Sequence, residues 1–250
     1  MATGPVVRRL RGVWRLLRAS VHVLHGTWIA VVRFPRLDQA TRHALVQWWA
    51  GRTLALMGVR VRPEGAPRPG AKLLVANHIS WLDIMAIHAV CPEARFVSKA
   101  DVLRWPVLGA LIGAAGTLFI QRERKRDALR VVHQMADSLG AGETVAIFPE
   151  GTTGDGHGLL PFHANLLQAA IAAEVPVQPV ALRYADAFGP VSAAVIYIGD
   201  TSLVRSLWWV ACGDEVTVRV RMLPAEGVRH ADRRRLAERL AEQIAAALPA

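Results

Sequence analysis

The chain of 250 residues is 52% hydrophobic, carries a formal net charge of +10 and holds two cysteines, with a mean hydropathy of +0.26. That length suits one fairly large domain with a sizeable core. Cys91 and Cys212 lie far apart and outside any Cys-x-x-Cys pattern, which argues against a disulfide framework and suits a reducing compartment. No stretch supplies the ~20 unbroken apolar residues of a clean membrane span; Ala19–Val32 is short and holds His22 and His25, and Trp105–Ile120 is cut by Pro106 and several glycines.

Residues 1–36 carry Arg8, Arg9, Arg11, Arg15, Arg18, Arg33 and Arg36 and no acidic residue, so this leader supplies seven of the ten excess charges. Interleaved with Leu10, Val13, Trp14, Leu16 and Leu17, the arginines predict a basic amphipathic helix near residues 6–33 that lies on an anionic membrane surface. A single tilted span through the same region stays open. The basic start also resembles a signal peptide, but no small-residue cleavage site follows it. By the positive-inside rule it places the protein at the cytoplasmic face of the inner membrane, peripheral or monotopic. The rest of the chain has no recognisable nucleic-acid-binding motif and no extended basic face, so nucleic acid is not expected as a partner. A second helix, near 38–58, puts Trp48, Trp49, Leu54 and Leu56 on an apolar surface.

Arg-Pro-Glu-Gly-Ala-Pro-Arg-Pro-Gly at 62–70 cannot continue a helix. It divides the chain into a two-helix membrane-associating element, residues 1–62, and a main domain, residues 63–250. In the main domain the expected strands are Lys72–Ala76, Arg95–Val97, Thr117–Gln121, Thr144–Phe148, Val177–Leu182, Ala193–Ile198 and Glu215–Met222. Helix-like spacing lies between them at Leu82–Val90, Asp127–Leu139 and Ala164–Ala173. Strands separated by helices predict an α/β fold with a mostly parallel mixed sheet flanked by helices. Asp232–Leu248 reads as a solvated outer helix.

Ligands of such sheets gather at the carboxyl ends of the strands, where three unusual stretches fall. Asn77-His-Ile-Ser-Trp-Leu-Asp83 follows the first strand of the main domain. An imidazole takes a proton from a hydroxyl near neutral pH, and a carboxylate on its far nitrogen fixes its tautomer. Residues i and i+5 point ~140° apart on a helix, so His78 and Asp83 meet only if His78 lies on the lead-in and Asp83 in the first turn. Ser80 then falls at the N-cap, and Ser80-x-x-Asp83 equally reads as a variant capping box with no catalytic duty. The chain lacks a Gly-x-Ser-x-Gly elbow, so a base here would act on a hydroxyl of the substrate. At the end of Gly116-Thr-Leu-Phe-Ile-Gln-Arg122, Arg122 emerges where it could hold an anion or simply sit in a basic turn with Arg124, Lys125 and Arg126. Phe148-Pro-Glu-Gly-Thr-Thr-Gly-Asp-Gly156 offers exposed amides with Glu150 and Thr152 as hydrogen-bonding groups, or a polar loop. Val175-Pro-Val-Gln-Pro179 looks like a buried strand entry.

These four pieces in this order resemble the bacterial PlsC-type 1-acylglycerol-3-phosphate acyltransferases of the wider glycerolipid acyltransferase family. The resemblance spans about residues 72–182. It implies an α/β acyltransferase domain with an N-terminal two-helix element docking on the membrane, and transfer from an acyl thioester, on coenzyme A or acyl carrier protein, to a lysolipid hydroxyl. It makes His78 the general base and Asp83 its support. Lys99, Arg122, Glu150, Gly151 and Thr152 become binders of the acceptor's polar head. It calls for no cofactor beyond the acyl donor, and no metal ligands are recognised. Many members read Glu-Gly-Thr-Arg where this chain has Thr153. Relatives with Glu-Gly-Thr-Thr include acyltransferases of lyso-ornithine lipid, which is the alternative acceptor; a non-catalytic lipid binder is the alternative outside the class.

Overall fold

The computed structural model describes residues 4–99, 108–120 and 125–248. Among these residues seven strands run β1 (Val59–Glu64), β2 (Lys72–Ala76), β3 (Ala94–Lys99), β4 (Leu118–Ile120), β5 (Thr144–Ile147), β6 (Val177–Ala185) and β7 (Val216–Met222). They form one sheet in the order β1-β7-β6-β2-β5-β3-β4. Among the described residues only the β6–β7 pair is antiparallel, as expected for a mostly parallel mixed sheet. The helices are α1 (Pro5–Trp28), α2 (Gln39–Leu56), α3 (Leu82–His88), α4 (Leu108–Ala114), α5 (Lys125–Gly140), α6 (Gln168–Ala172), α7 (Leu203–Cys212) and α8 (Arg233–Ala247).

Alternation along the buried strands sends successive side chains to opposite faces. On one face Leu74, Val180, Leu182 and Val218 pack beneath α2, α3 and α7 through Leu54, Leu82, Ala86, Ile87 and Val210. On the other, Leu73 and Val75 meet α5, α6 and α8 through Val131, Met135, Leu139, Ala170, Leu236 and Leu240. Helix α8 is therefore solvated on one side only, and its Leu236, Leu240 and Ile244 face close that core.

Four elements depart from the sequence reading, one of them α4, which had no assignment. Val59–Glu64 is an edge strand parallel to β7, so Val59 to Arg62 belong to the sheet and not to the two-helix element. Pro63 concealed it, because a strand proline is tolerated at a sheet edge. Ala193–Ile198 is a turn followed by irregular chain instead of a strand; beside it Ser192 N–H donates to Tyr184 O of β6 at 2.9 Å, and Tyr197 N–H donates to Ile79 O after β2 at 3.3 Å. Leu203–Cys212, which had no assignment, is a helix capped by Ser202 Oγ accepting from Arg205 N–H at 3.3 Å.

The leader forms α1 and continues through residue 33 as a π-turn. Its buried side holds Gly12, His22 and Gly26. A Cβ at Gly12 would meet Cys212 Sγ, and one at Gly26 the Trp49 ring, so glycine is what lets α7 and α2 approach. His22 stacks on Trp49 with ring centroids 5.5 Å apart. Three of the seven arginines turn inward. Arg8 and Arg11 pair with Asp214 at 2.6 and 2.9 Å. Arg11 also reaches Cys212 O at 2.9 Å, and Arg15 reaches Ala211 O at 3.2 Å and Gly213 O at 2.9 Å. The expectation that the leader's arginines serve the membrane fails for these three. They satisfy the orphan carbonyls and the negative pole at the C-terminus of α7. Among the described residues no helix is long and apolar enough to cross a membrane.

Candidate active site

β2 is buried along its whole length, and the chain leaves it at a residue that imitates a further ladder pair. Asn77 Oδ1 accepts from Leu182 N–H at 2.7 Å while its Nδ2 donates to Leu182 O at 3.0 Å. The next residue, His78, is thereby fixed at the carboxyl end of the central strand. Asp83, in the first turn of α3, folds back as the five-residue spacing requires. Its Oδ2 accepts from His78 Nδ1–H at 2.7 Å, Ile79 N–H at 2.7 Å and Ser80 N–H at 2.9 Å, and its Oδ1 accepts from Tyr184 Oη–H at 2.7 Å. With Nδ1 donating to the carboxylate, the proton-accepting lone pair of the imidazole is on Nε2. The catalytic and capping readings are thus partly compatible. Asp83 caps backward onto the Ser80 amide, but Ser80 is not the side-chain cap: the N-cap position is Trp81, and the Ser80 hydroxyl has no hydrogen-bond partner among the described residues.

β5 lies beside β2 in parallel register, Val75 opposite Ile147, so Phe148–Glu150 emerges next to His78. The Phe148 ring stacks on the imidazole with centroids 4.0 Å apart and planes 11° from parallel. Glu150 is buried and spends both oxygens on backbone: Oε1 accepts from His78 N–H at 2.6 Å and Oε2 from Leu160 N–H at 2.8 Å. Burial raises the Glu150 carboxyl above its ordinary range, while those two amides and His78 pull the other way. On the other side of the same residue, Gly154 N–H donates to His78 O at 2.7 Å. The backbone of the base is therefore held from both sides by the loop after β5. Gly151, at φ +72°, supplies the left-handed turn that starts this loop.

An acyltransferase family model matches residues 58–183, from the start of the sheet through the site. The 1-acyl-sn-glycerol-3-phosphate acyltransferase of Neisseria meningitidis serogroup B is 37% identical over 210 residues, 83% of this chain and 82% of that protein. The chain belongs to the acyltransferase family. The lyso-ornithine lipid O-acyltransferase of Pseudomonas aeruginosa is equally similar, 37% over 218 residues, covering 85% of this chain and 83% of the relative. In fold, the acyltransferase superposes on the crystal structure of the 1-acyl-sn-glycerophosphate acyltransferase PlsC from Thermotoga maritima with a TM-score of 0.70. That match covers 98% of each chain at 18% identity.

Of the residues expected to form the acyltransferase's site, His78, Asp83, Glu150, Gly151 and Thr152 come together at the ends of β2 and β5. Thr152 is exposed there. Lys99 ends β3, paired with Ile120; its side chain and Arg122 lie outside the described residues. Glu150 differs from its expected part in offering the acceptor no free oxygen, since both bind backbone amides. Thr153, in the place where an arginine was looked for, donates its hydroxyl to Tyr197 O. Sequence reasoning missed Tyr184, Phe148 as the ring's stacking partner, and Trp81, whose Nε1–H donates to Ser206 Oγ at 3.0 Å and links the site loop to α7. The signal for Tyr184 was a polar tip at the end of the apolar β6 run. Among the described residues no three His, Cys, Asp or Glu side chains cluster as metal ligands.

Proposed function

We propose that this acyltransferase moves a fatty acyl group from an acyl thioester, on coenzyme A or acyl carrier protein, to the free hydroxyl of a lysolipid, with 1-acyl-sn-glycerol-3-phosphate giving phosphatidic acid. The observation that carries the reading is His78, tautomer-locked by Asp83 and fixed in backbone by Glu150 and Gly154. Nε2 takes the proton of the acceptor hydroxyl, the oxygen bonds to the thioester carbonyl carbon, and the C–S bond breaks. The departing thiolate then recovers the proton from the imidazolium. No acyl-enzyme is needed, and a positioned general base contributes typically 10²–10⁴-fold. Lys99, Arg122 and Thr152 would bind the acceptor's polar head.

The lipid substrate fits an enzyme lying on the cytoplasmic face of the inner membrane, and α1 supports that placement. At ~100° per residue, Val6, Leu10, Leu17, Val21, Leu24 and Trp28 fall on one stripe, and all are exposed. The stripe points away from the side packed on α7 and α2. Arg9 and Arg18 flank it, each about a quarter-turn away, the pattern of a helix lying in the interface with cations at headgroup level.

Thr153 favours a second acceptor, lyso-ornithine lipid. A neutral hydroxyl already bonded to Tyr197 O supplies no charge for a phosphomonoester, and a charge-assisted phosphate contact is worth ~1.5–3 kcal/mol. An acceptor panel with one donor tests both readings: thiol release should depend on added lysolipid. Faster release with lyso-ornithine lipid than with lysophosphatidic acid would reassign the acceptor; lipid binding without release would replace the enzyme by a lipid binder.

A further inference from the structure

We propose that Tyr184 is a positioning residue of this acyl transfer, acting through Asp83 to set the proton affinity of His78. The inference rests on the base role given to His78 above. Asp83 receives four donors, but their origins differ. His78, Ile79 and Ser80 all belong to the loop that carries the base, and all three meet Oδ2. They fix the carboxylate relative to its own loop. Tyr184, the donor to Oδ1 at 2.7 Å, is on β6, and it is the contact that ties the carboxylate to the sheet. A carboxylate's terminal torsion is broad and roughly two-fold, so a donor on the second oxygen is what stops the two oxygens from exchanging places under the imidazole.

The surrounding packing makes Tyr184 a poor choice if only core volume mattered. The side chain is 1% exposed and packs with Leu82, Val195 and Val218 in the core beneath α3 and α7. A buried phenol needs a partner for its hydroxyl, and here the partner is the site carboxylate. Burial and the neighbouring Asp83 both push the Tyr184 phenol well above its ordinary value, so it remains a donor throughout the working range. Leu182, two residues earlier on the same face of β6, receives Asn77. One strand therefore holds both ends of the Asn77–Asp83 segment, by backbone at Asn77 and by phenol at Asp83.

The electrostatic consequence has a definite sign. Among the described residues, the groups that face His78 are Asp83 and, through Asp83, Tyr184 on β6, together with Glu150 on the loop after β5. A phenol that draws charge from Asp83 leaves less to stabilise the imidazolium. Removing the phenol should raise the affinity of His78 for its proton; strengthening it as a donor should lower that affinity.

The test replaces Tyr184 by Phe and, separately, by 3-fluoro- and 3,5-difluorotyrosine. Fluorination keeps the hydroxyl and most of the volume while making it a progressively stronger donor. Two readouts are taken: the titration of the His78 ring nitrogens by NMR, and kcat, KM and the pH profile of thiol release with lysophosphatidic acid. We expect Tyr184→Phe to lower kcat roughly ten- to a hundredfold, with acceptor KM little changed, and to move the His78 titration and the acid limb to higher pH. The fluorotyrosines should move both to lower pH in order of fluorine count. A His78 titration that is the same in all four proteins overturns the proposal, whatever happens to melting temperature. If Tyr184→Phe does not fold, the fluorotyrosine series alone decides. If wild type releases no thiol with any lysolipid, the proposed function fails, while the NMR titration still tests the relay.

Discussion

Replacing Glu150 by glutamine separates holding the base from binding the acceptor. The carboxylate accepts His78 N–H on one oxygen and Leu160 N–H on the other, at 2.6 and 2.8 Å, in a buried position. An amide has one acceptor oxygen, so in either rotamer one backbone N–H faces an NH₂ donor. One charge-assisted hydrogen bond is lost, a cost of about 1.5–3 kcal/mol. The loop can recover it only by letting one of the two amides go. At 1.4 kcal/mol per decade, release of the His78 amide reduces the population of the productive loop by roughly ten- to a hundredfold. Steady-state thiol release at saturating donor, with the lysolipid varied, should show that factor in kcat with acceptor KM within about twofold, and thermal denaturation should show a lower midpoint. If instead acceptor KM rises by the whole factor while kcat holds, Glu150 touches the acceptor head and the positioning account is wrong.

His78→Ala should lower turnover by about 10² or more, and a near-normal rate would sink the mechanism. Burial lowers the His88 imidazole to about 4 from an ordinary 6.5, so the unfolded chain binds a proton that the folded chain refuses between those values. Stability should then fall as pH drops through 6.5 and level off near 4, by about 2 kcal/mol between pH 7 and pH 5; urea unfolding of His88→Gln should lack that slope, and an unchanged slope would refute the assignment. The Arg8 and Arg11 guanidiniums hold the Asp214 carboxyl below its ordinary range. Its contribution is therefore present above the unfolded value near 3.8 and lost as pH falls through the folded one. Asp214→Asn should make the segment of α1 before Gly12 cleavable by trypsin at neutral pH; wild-type resistance in the variant would show that the contact does not hold the helix.

Strand and site were legible to different depths, for identifiable reasons. β2, β5 and β6 read correctly because a run buried on both faces is mostly apolar and does not alternate with polar residues. β1 did not, because Arg60, Arg62 and Pro63 on an edge look like linker. The loop at 193–198 carries the continuous apolar run of a buried strand, yet its Tyr197 N–H is spent on Ile79 O of the site loop, a tertiary duty without a local signature. In the site, the pairing of His78 with Asp83 followed from helix geometry, since only one placement satisfies a five-residue spacing. The donors to Asp83 and Glu150 were invisible for the opposite reason. They are backbone amides and a tyrosine 101 residues away, and no spacing rule reports either.

The inward turn of Arg8, Arg11 and Arg15 changes what removing the leader would measure. A chain lacking residues 1–36 loses the exposed apolar stripe, but it also strips the C-terminus of α7 of its cations, opens the cleft beside Trp208 and Trp209, and frees the helix that Trp81 leans on through Ser206. Loss of activity in such a truncation would therefore confound targeting with catalysis. Serine at Val6, Leu10, Leu17 and Val21 leaves every one of those inward contacts in place, so release from vesicles in that variant, with soluble-substrate turnover retained, isolates the interfacial role of α1.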